Sequence, residues 1–244
     1  MDESDLFKRS REEVGHIARW YADHRGRSER RPSLLLVGGW AVYQHNPYTY
    51  SRDIDLIVNS RTRQSLVHWL RTERGFEKQR DELGQQSVLL ASAQGPIRLD
   101  CVSTTSRNTF HGRKETLPFE MAREHFLVAD LDEGYLPVPE RGPLLLLKLK
   151  ALHDRSYDVK IPGADVEWLD LKMSKDRSDI LSLIDRERGG NEIGLGLVAK
   201  ELERLPFLIP LLETTPSDRT ACGLYHISRK EADLIVSTFL SLVR

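Results

Sequence analysis

Three aspartates in this chain keep apolar company. Asp53 and Asp55 open the run Asp53-Ile54-Asp55-Leu56-Ile57-Val58, and Asp100 interrupts Ile97-Arg98-Leu99-Asp100-Cys101-Val102. On an extended strand, residues two apart point to one face, so Asp53 and Asp55 share a face. Like charges on a largely buried strand repel each other and resist leaving water unless something positive stands between them. A divalent cation is an effective partner, and hard carboxylate oxygens are what magnesium prefers. A third carboxylate from a neighbouring strand would complete a site for two metal ions, which can hold both the attacking and the leaving oxygen of an in-line phosphoryl displacement. The plainer readings are an exposed sheet face for Asp53 and Asp55 and an ion pair for Asp100. Arg98 is two residues from Asp100 and shares its strand face. Both readings of Asp100 can hold together, because Arg98 could also reach a phosphate.

Upstream lies Leu34-Leu35-Leu36-Val37-Gly38-Gly39-Trp40. The apolar run is short and stops at glycine, which favours a buried strand over a helix. Glycines at a strand-to-helix turn let backbone N–H groups approach phosphate oxygens closely. Most double-glycine turns only reverse the chain, so Gly38 and Gly39 become informative through the Asp-x-Asp strand that follows at short range. Ser51 and Arg52, just before Asp53, either contact phosphates or cap the strand.

The elements around these residues follow from periodicity. Residues 4–24 place Leu6, Val14, Ile17 and Trp20 or Tyr21 on one face of an amphipathic helix. Strands are predicted at 34–37 and 54–58, a helix start at Trp40 and a helix over 61–73. An extended segment follows Gly75-Phe76. A hairpin joins 87–91 to 97–102 around Gln94-Gly95-Pro96. The character changes near Pro137–Pro143, beyond which helical patterns cover 142–155, 165–188, 191–203 and 228–243. The fold class is α+β: a small mixed sheet with flanking helices, then a helical C-terminal half. The expected domains are 1–136, α/β with an N-terminal helix, and 137–244, helical.

With 244 residues, 39% hydrophobic and 30% charged, the chain has the composition of an ordinary globular protein with a well-solvated surface. A net charge of −1 excludes a large uniform basic field, so nucleic acid would need a local patch. Cys101 and Cys222 make neither a disulfide framework nor a zinc site, and reduced thiols are expected. The charged opening MDESDLFKRSREE is no signal peptide, and the apolar runs are far too short to span a bilayer. A cytoplasmic protein without membrane partners is the expectation.

The segment LLLVGGWAVYQHNPYTYSRDIDLIV resembles the DNA polymerase β-like nucleotidyltransferase superfamily, whose mark is a hydrophobic residue, Gly, then Gly or Ser, a spacer, and Asp–hydrophobic–Asp–hydrophobic. Thirteen residues, Trp40 to Arg52, separate Gly39 from Asp53, a long spacer for that family. The resemblance implies that Asp53 and Asp55 ligate two Mg2+ ions, with Mn2+ as a substitute. It also implies that Asp100, on the later strand, ligates one of them and helps activate an acceptor hydroxyl. Small members of the family often carry serine at the second glycine. Gly39 leaves that side-chain phosphate contact unfilled unless Ser51 supplies it.

The helical half opens with PLLLLKLKALHDRSYDVK, in which Lys148, Ala151, Leu152 and Arg155 form one helical stripe. KMSKDRSDILSLI follows, with Lys175, Asp176 and Asp179 at helical spacing. A solvated face with helix ion pairs is the ordinary reading. The K-x-x-A-L-x-x-R and K-D-x-x-D patterns resemble nucleotidyltransferases of the AbiEii/MenT type, toxin components of toxin–antitoxin or phage-defence pairs. This implies that Lys148 binds the triphosphate of an NTP and that Asp176 supports the site, with Arg155, Lys175 and Asp179 as further supports. The resemblance covers about residues 33–185. It implies transfer of NMP from an NTP to an acceptor hydroxyl, a tRNA 3′ end as acceptor, a cognate antitoxin as partner, and a nucleotide seated between the two halves. Two alternatives stay open: an aminoglycoside or protein hydroxyl as acceptor, and a nucleotide-binding regulatory module with a degenerate site. The presence of all three aspartates weighs against the latter.

Two basic stretches remain: Arg107, His111, Arg113, Lys114 and Arg123 with Phe110 and Phe119, which either grip RNA or form a solvated loop, and the cluster Arg25, Arg27, Arg30 and Arg31, read as a polar linker. His16, His24, His45, His68 and His153 show no zinc-ligand spacing. Trp40 and Tyr43 read as core packing.

Overall fold

The double-glycine segment and both aspartate strands fall within one five-stranded mixed sheet in the computed structural model. The structure describes residues 3–24, 30–80, 86–93 and 95–244; Arg25, Arg27 and Gln94 lie outside the described residues. The chain divides into two units. The first comprises Met1–Gln44, Tyr50–Ser106 and Phe119–Pro139, and the second His45–Thr49, Arg107–Pro118 and Glu140–Arg244.

In the first unit, β1 (Leu34–Val37), β2 (Ile54–Val58), β3 (Glu77–Arg80), β4 (Gln86–Leu90) and β5 (Ile97–Ser103) lie in the order β1-β2-β5-β4-β3. The β2–β5 pair is parallel and the other pairs are antiparallel. Leu34, Leu35, Leu36, Ile54, Leu56, Ile57, Ile97 and Leu99 are buried almost completely, which makes the sheet the core of this unit. The amphipathic reading of the N-terminus holds. α1 (Glu3–His24) buries Leu6, Val14, Ile17, Trp20 and Tyr21. Its Glu13 is fully buried and accepts hydrogen bonds from Arg74 Nε (3.1 Å) and Nη2 (2.9 Å), just past the end of α3 (Ser60–Glu73). The α3 N-terminus is capped by Asn59, whose side chain accepts from the Thr62 N–H at 2.8 Å.

A second ribbon, β6 (Phe126–Leu131) and β7 (Gly134–Pro139), follows the short helix α4 (Glu120–Glu124). Periodicity did not predict this hairpin. Pro137 and Pro139 look like punctuation, yet in a two-stranded ribbon proline can occupy positions that donate no ladder bond. Gly134 is there because the ribbon runs close to α1: a Cβ would lie 2.7 Å from the Ala18 backbone.

The second unit is helical. Its centre is α5 (Arg141–Asp158), whose Leu144, Leu145, Leu146, Leu149 and Leu152 are fully buried. α6 (Val166–Ile184), α7 (Leu195–Arg204) and α8 (Ile209–Thr214) pack on it, and α9 (Arg219–Leu224) and α10 (Arg229–Val243) pack on α6. The expected helix over 165–188 stops at Ile184, because Asp185 is extended and its carboxylate accepts from the Glu187 N–H at 3.0 Å. α10 begins with a capping box made by Ser228 and Glu231. The inserted segment 45–49 is bonded into this unit: Asn46 Nδ2 donates to the Ser182 carbonyl (3.2 Å) and to Tyr225 Oη (3.1 Å). Tyr225 Oη in turn donates to Asp185 at 2.7 Å. Both cysteines are free thiols. Among the described residues, no helix is long and apolar enough to cross a membrane.

Candidate active site

β1 ends at Val37 and α2 (Gly38–His45) starts at once. The antiparallel register sets Val37 opposite Asp55, so Gly38 is the first residue past that pair. Gly38 has φ +67°, and a Cβ there would stand 1.9 Å from Asp55 Oδ2. Only glycine combines a left-handed backbone with that closeness to a carboxylate. Gly39 has no positive φ. The double glycine thus divides its labour: Gly38 turns the chain against Asp55, and Gly39 belongs to the first turn of the helix.

The parallel register sets Asp55 beside Asp100. Paired residues of adjacent strands project to the same face, so these two carboxylates are neighbours. Both side chains are half-buried, whereas Ile54, Leu56, Leu99 and Ile97 beside them are buried. Arg98 shares that face and donates from Nε to Asp100 Oδ1 at 3.1 Å, the ion pair that the strand alternation allowed.

Asp53 is placed differently. It precedes β2, outside the ladder, with Arg52 Nε 3.8 Å from its Oδ1. Among the described residues, no three His, Cys, Asp or Glu side chains are grouped closely enough to hold a metal ion. The convergence expected of Asp53, Asp55 and Asp100 is therefore incomplete. Pairing brings Asp55 and Asp100 together, and the missing ladder bonds leave Asp53 to the loop. In donor type the residues fit a hard divalent cation, since all three offer carboxylate oxygens. Ser51 is bound locally, its hydroxyl donating to the Asp53 carbonyl at 3.0 Å.

One residue without a sequence signal organises this segment. Ser10, in α1 and fully buried, donates from Oγ to the Arg52 carbonyl at 2.8 Å and accepts from Trp40 Nε1 at 3.0 Å. A single hydroxyl thereby ties the start of α2 to the residue before Asp53. Phe7, one turn earlier, stacks on Trp40 at 5.0 Å between ring centroids. Trp40 is buried, as its helical spacing suggested.

The motif residues of the second unit form a buried ion-pair cluster of their own. Lys148 Nζ lies 3.3 Å from Asp176 Oδ1 and 2.6 Å from Asp179 Oδ2. Arg155 pairs with the other oxygen of Asp176, Lys175 reaches Asp179 at 2.9 Å, and Tyr48 Oη donates to Asp179. Burial pulls the Lys148 pKa down, but the Asp179 and Asp176 carboxylates more than offset it, and the group ends above the usual lysine range. Burial pushes Asp179 the other way, and Lys148 and Lys175 overcome it, holding the carboxyl down to about 2. Burial and Asp179 raise the Tyr48 phenol, keeping it a hydrogen-bond donor. Each cation of the α5 stripe thus faces an α6 carboxylate.

The basic stretch around residue 110 is split. His111 Nδ1 lies 2.7 Å from Asp158, and the Arg113 guanidinium covers the Phe207 ring at 3.7 Å, all in the second unit. Arg123, in the first unit, donates to the Pro32 carbonyl at 3.0 Å and pairs with Glu120 at 2.8 Å. These three basic side chains have internal partners, which accounts for them without a bound polyanion. Arg31 pairs with Glu120 at 3.1 Å and Glu124 at 3.0 Å.

No protein-family model and no curated protein matches the chain in sequence. Solved structures are similar to it in outline. An antigenic nucleotidyltransferase-like protein from Paracoccidioides brasiliensis aligns over 93% of this chain and 99% of its own, at 14% identity and a TM-score of 0.47. The antibiotic-resistance factor ANT(2'')-Ia aligns over 85% and 96%, at 16% identity and a TM-score of 0.46. The lincosamide antibiotic adenylyltransferase LnuA, in a lincomycin-bound structure, aligns over 71% and 96%, at 14% identity and a TM-score of 0.41.

Proposed function

We propose that this chain is a divalent-metal-dependent nucleotidyltransferase that moves NMP from an NTP to an acceptor hydroxyl and releases pyrophosphate. One observation carries the reading: the register that sets Asp55 beside Asp100 on one sheet face, with Gly38 packed directly against the Asp55 carboxylate. Two neighbouring carboxylates at a strand–glycine–helix turn favour a divalent cation in addition to Arg98, and the turn offers backbone N–H groups to an anion. Bound divalent ions, magnesium or manganese, would supply charge neutralisation for the phosphoryl group in flight. Asp55 and Asp100 would hold them. Asp53 would join by turning from Arg52 onto the face it shares with Asp55. The Gly38 turn would orient the phosphates, and Asp100 would draw the proton from the acceptor hydroxyl.

The acceptor we assign is a tRNA 3′ end, following the resemblance of the 33–185 segment to AbiEii/MenT-type toxins. A cognate antitoxin belongs to the same proposal. Lys148 and Asp176 would serve it by keeping α5 and α6 in register through their ion pair.

The test is incubation of the protein with each of four α-labelled NTPs, magnesium and total tRNA, alongside parallel reactions on aminoglycosides and on protein. Label on tRNA, abolished by Asp55→Ala and by chelation of the metal, is the expected result. Label on an aminoglycoside or on protein would keep the transferase and replace the acceptor. No transfer to any of them, with nucleotide still bound, would replace the enzyme by a regulatory nucleotide-binding module.

A further inference from the structure

The face of the sheet opposite Asp55 and Asp100 carries a cavity of its own. It has a volume of about 480 Å3 and lies between α3 and the strands β3, β4 and β5. Leu99 and Cys101 line it, and alternation along β5 turns Asp100, between them, to the other side. From α3 come Ser60, Arg63, Gln64, Val67, His68 and Arg71, at offsets of three, four, seven, eight and eleven residues. That spacing is one stripe of a helix, so these side chains enter the cavity together. Lys78 enters from β3.

The charge of this cavity is one-sided. Among the described residues, Arg63, Arg71 and Lys78 line it and no Asp or Glu does. Among the described residues, none of the three has an ion-pair partner. Other arginines of this unit pair with carboxylates: Arg74 with Glu13, Arg31 with Glu120 and Glu124, Arg98 with Asp100. In a chain of net charge −1, three cations around one concavity, with no carboxylate among its described lining residues, make a local positive patch. Such a concavity focuses an attractive field for anions.

Geometry narrows the ligand. Arg63 and Arg71 are eight residues apart on α3, which is roughly 12 Å along a helix axis. One carboxylate or one phosphate would engage both only if both side chains bent toward a point between them. A short chain of phosphates spans both, and guanidinium forks suit phosphate oxygens. The volume falls in the range of small-molecule sites, about 300–1,000 Å3. Ser60 and Gln64 add neutral donors.

We propose that this cavity binds a small polyphosphate compound, either inorganic or the polyphosphate arm of a nucleotide, on the sheet face away from the carboxylates and without a divalent metal. The binding is independent of the transferase reading. The experiment is isothermal titration of the full chain with inorganic tripolyphosphate, and separately with ATP, in EDTA. The expected result is one site for tripolyphosphate, weakened at least about tenfold by the Arg71→Ala/Lys78→Ala pair of exposed substitutions and weakened by added salt. Asp55→Ala, on the other face, should leave the affinity unchanged. Equal affinity for ATP assigns recognition to the phosphates alone, and a tighter ATP complex extends the site to a nucleotide; both support the proposal. Absence of binding to the unmodified chain overturns it, as does binding that the double substitution leaves intact or that Asp55→Ala removes. A third arm uses single-stranded RNA with a 5′-hydroxyl. RNA binding that depends on Arg71 and Lys78 while tripolyphosphate fails to bind would make the cavity part of a nucleic-acid surface and overturn the small-ligand assignment.

Discussion

Replacing Gly38 by alanine should separate the cost of an unusual backbone from the cost of crowding a carboxylate. At φ +67° any side chain incurs the left-handed penalty, about 1–2 kcal/mol. Gly163 provides the control. Its φ is +84°, and a Cβ there meets nothing within 4 Å, so Gly163→Ala should cost that backbone penalty alone. At Gly38 the new Cβ would lie 1.9 Å from Asp55 Oδ2 and 2.7 Å from its Cγ, so the carboxylate has to move. Overpacking of this kind adds about 1–3 kcal/mol. Gly38→Ala should therefore cost about 2–5 kcal/mol, measured by urea denaturation. In an Asp55→Ala background the added cost of Gly38→Ala should shrink, because the oxygen and Cγ it strikes are gone, with a coupling in the range of about 0.5–3 kcal/mol. Under the proposed function, a displaced Asp55 should also lower transferase activity by about a hundredfold in protein that remains folded at the assay temperature. The reasoning fails if Gly38→Ala and Gly163→Ala cost the same and the double-mutant cycle shows no coupling.

Three further outcomes follow from the same contacts. Ser10→Ala leaves the Trp40 indole N–H and the Arg52 carbonyl without their shared partner, so it should cost about 1–3 kcal/mol in denaturation and lower transferase activity, while Ser10→Thr should recover part of both. Lys148→Met removes the cation shared by Asp176 and Asp179, which keep Arg155 and Lys175, and should cost about 1–3 kcal/mol; a loss below about 0.5 kcal/mol would mean that the Lys148 pairs are not what holds α5 to α6. Asp179 has its folded pKa depressed from 3.8 to about 2, so its ion pairs contribute stability above pH 3.8 that is lost as pH falls toward 2. That contribution is roughly 2 kcal/mol; acid titration of stability should be shallower over this window in Asp179→Asn, and an unchanged slope would count against the assignment.

The parts of the site that sequence makes legible are those that obey a short period. Alternation along residues 53–58 and 97–102 is enough to place Asp55, Asp100 and Arg98 on a sheet face and to anticipate the Arg98–Asp100 pair. It does not say that Asp53 drops out of the ladder, because the end of a strand is decided by which neighbours continue to bond. Helical spacing pairs Lys175 with Asp179, but it cannot reveal that Lys148, on another helix, would be buried between Asp176 and Asp179. Ser10 left no trace at all, since one hydroxyl on an amphipathic helix looks like any surface serine until its partners, 30 and 42 residues away, are in place. The β6–β7 ribbon was hidden by its prolines, and the arginine stripe of α3 by its resemblance to an ordinary wet face.

The segments His45–Thr49 and Arg107–Pro118 belong to the second unit although first-unit sequence flanks both. A gene fragment cut at Pro139 would therefore yield neither half intact. The N-terminal piece would carry Asn46 and Tyr48 with Ser182, Tyr225, Ser178 and Asp179 all missing. The C-terminal piece would retain Phe207 and His153 but lack Phe110, the ring that meets both edge-on. Recombination that trades one half for a homologous one must trade these two short inserts as well, so the halves are inherited together or rebuilt at several places at once.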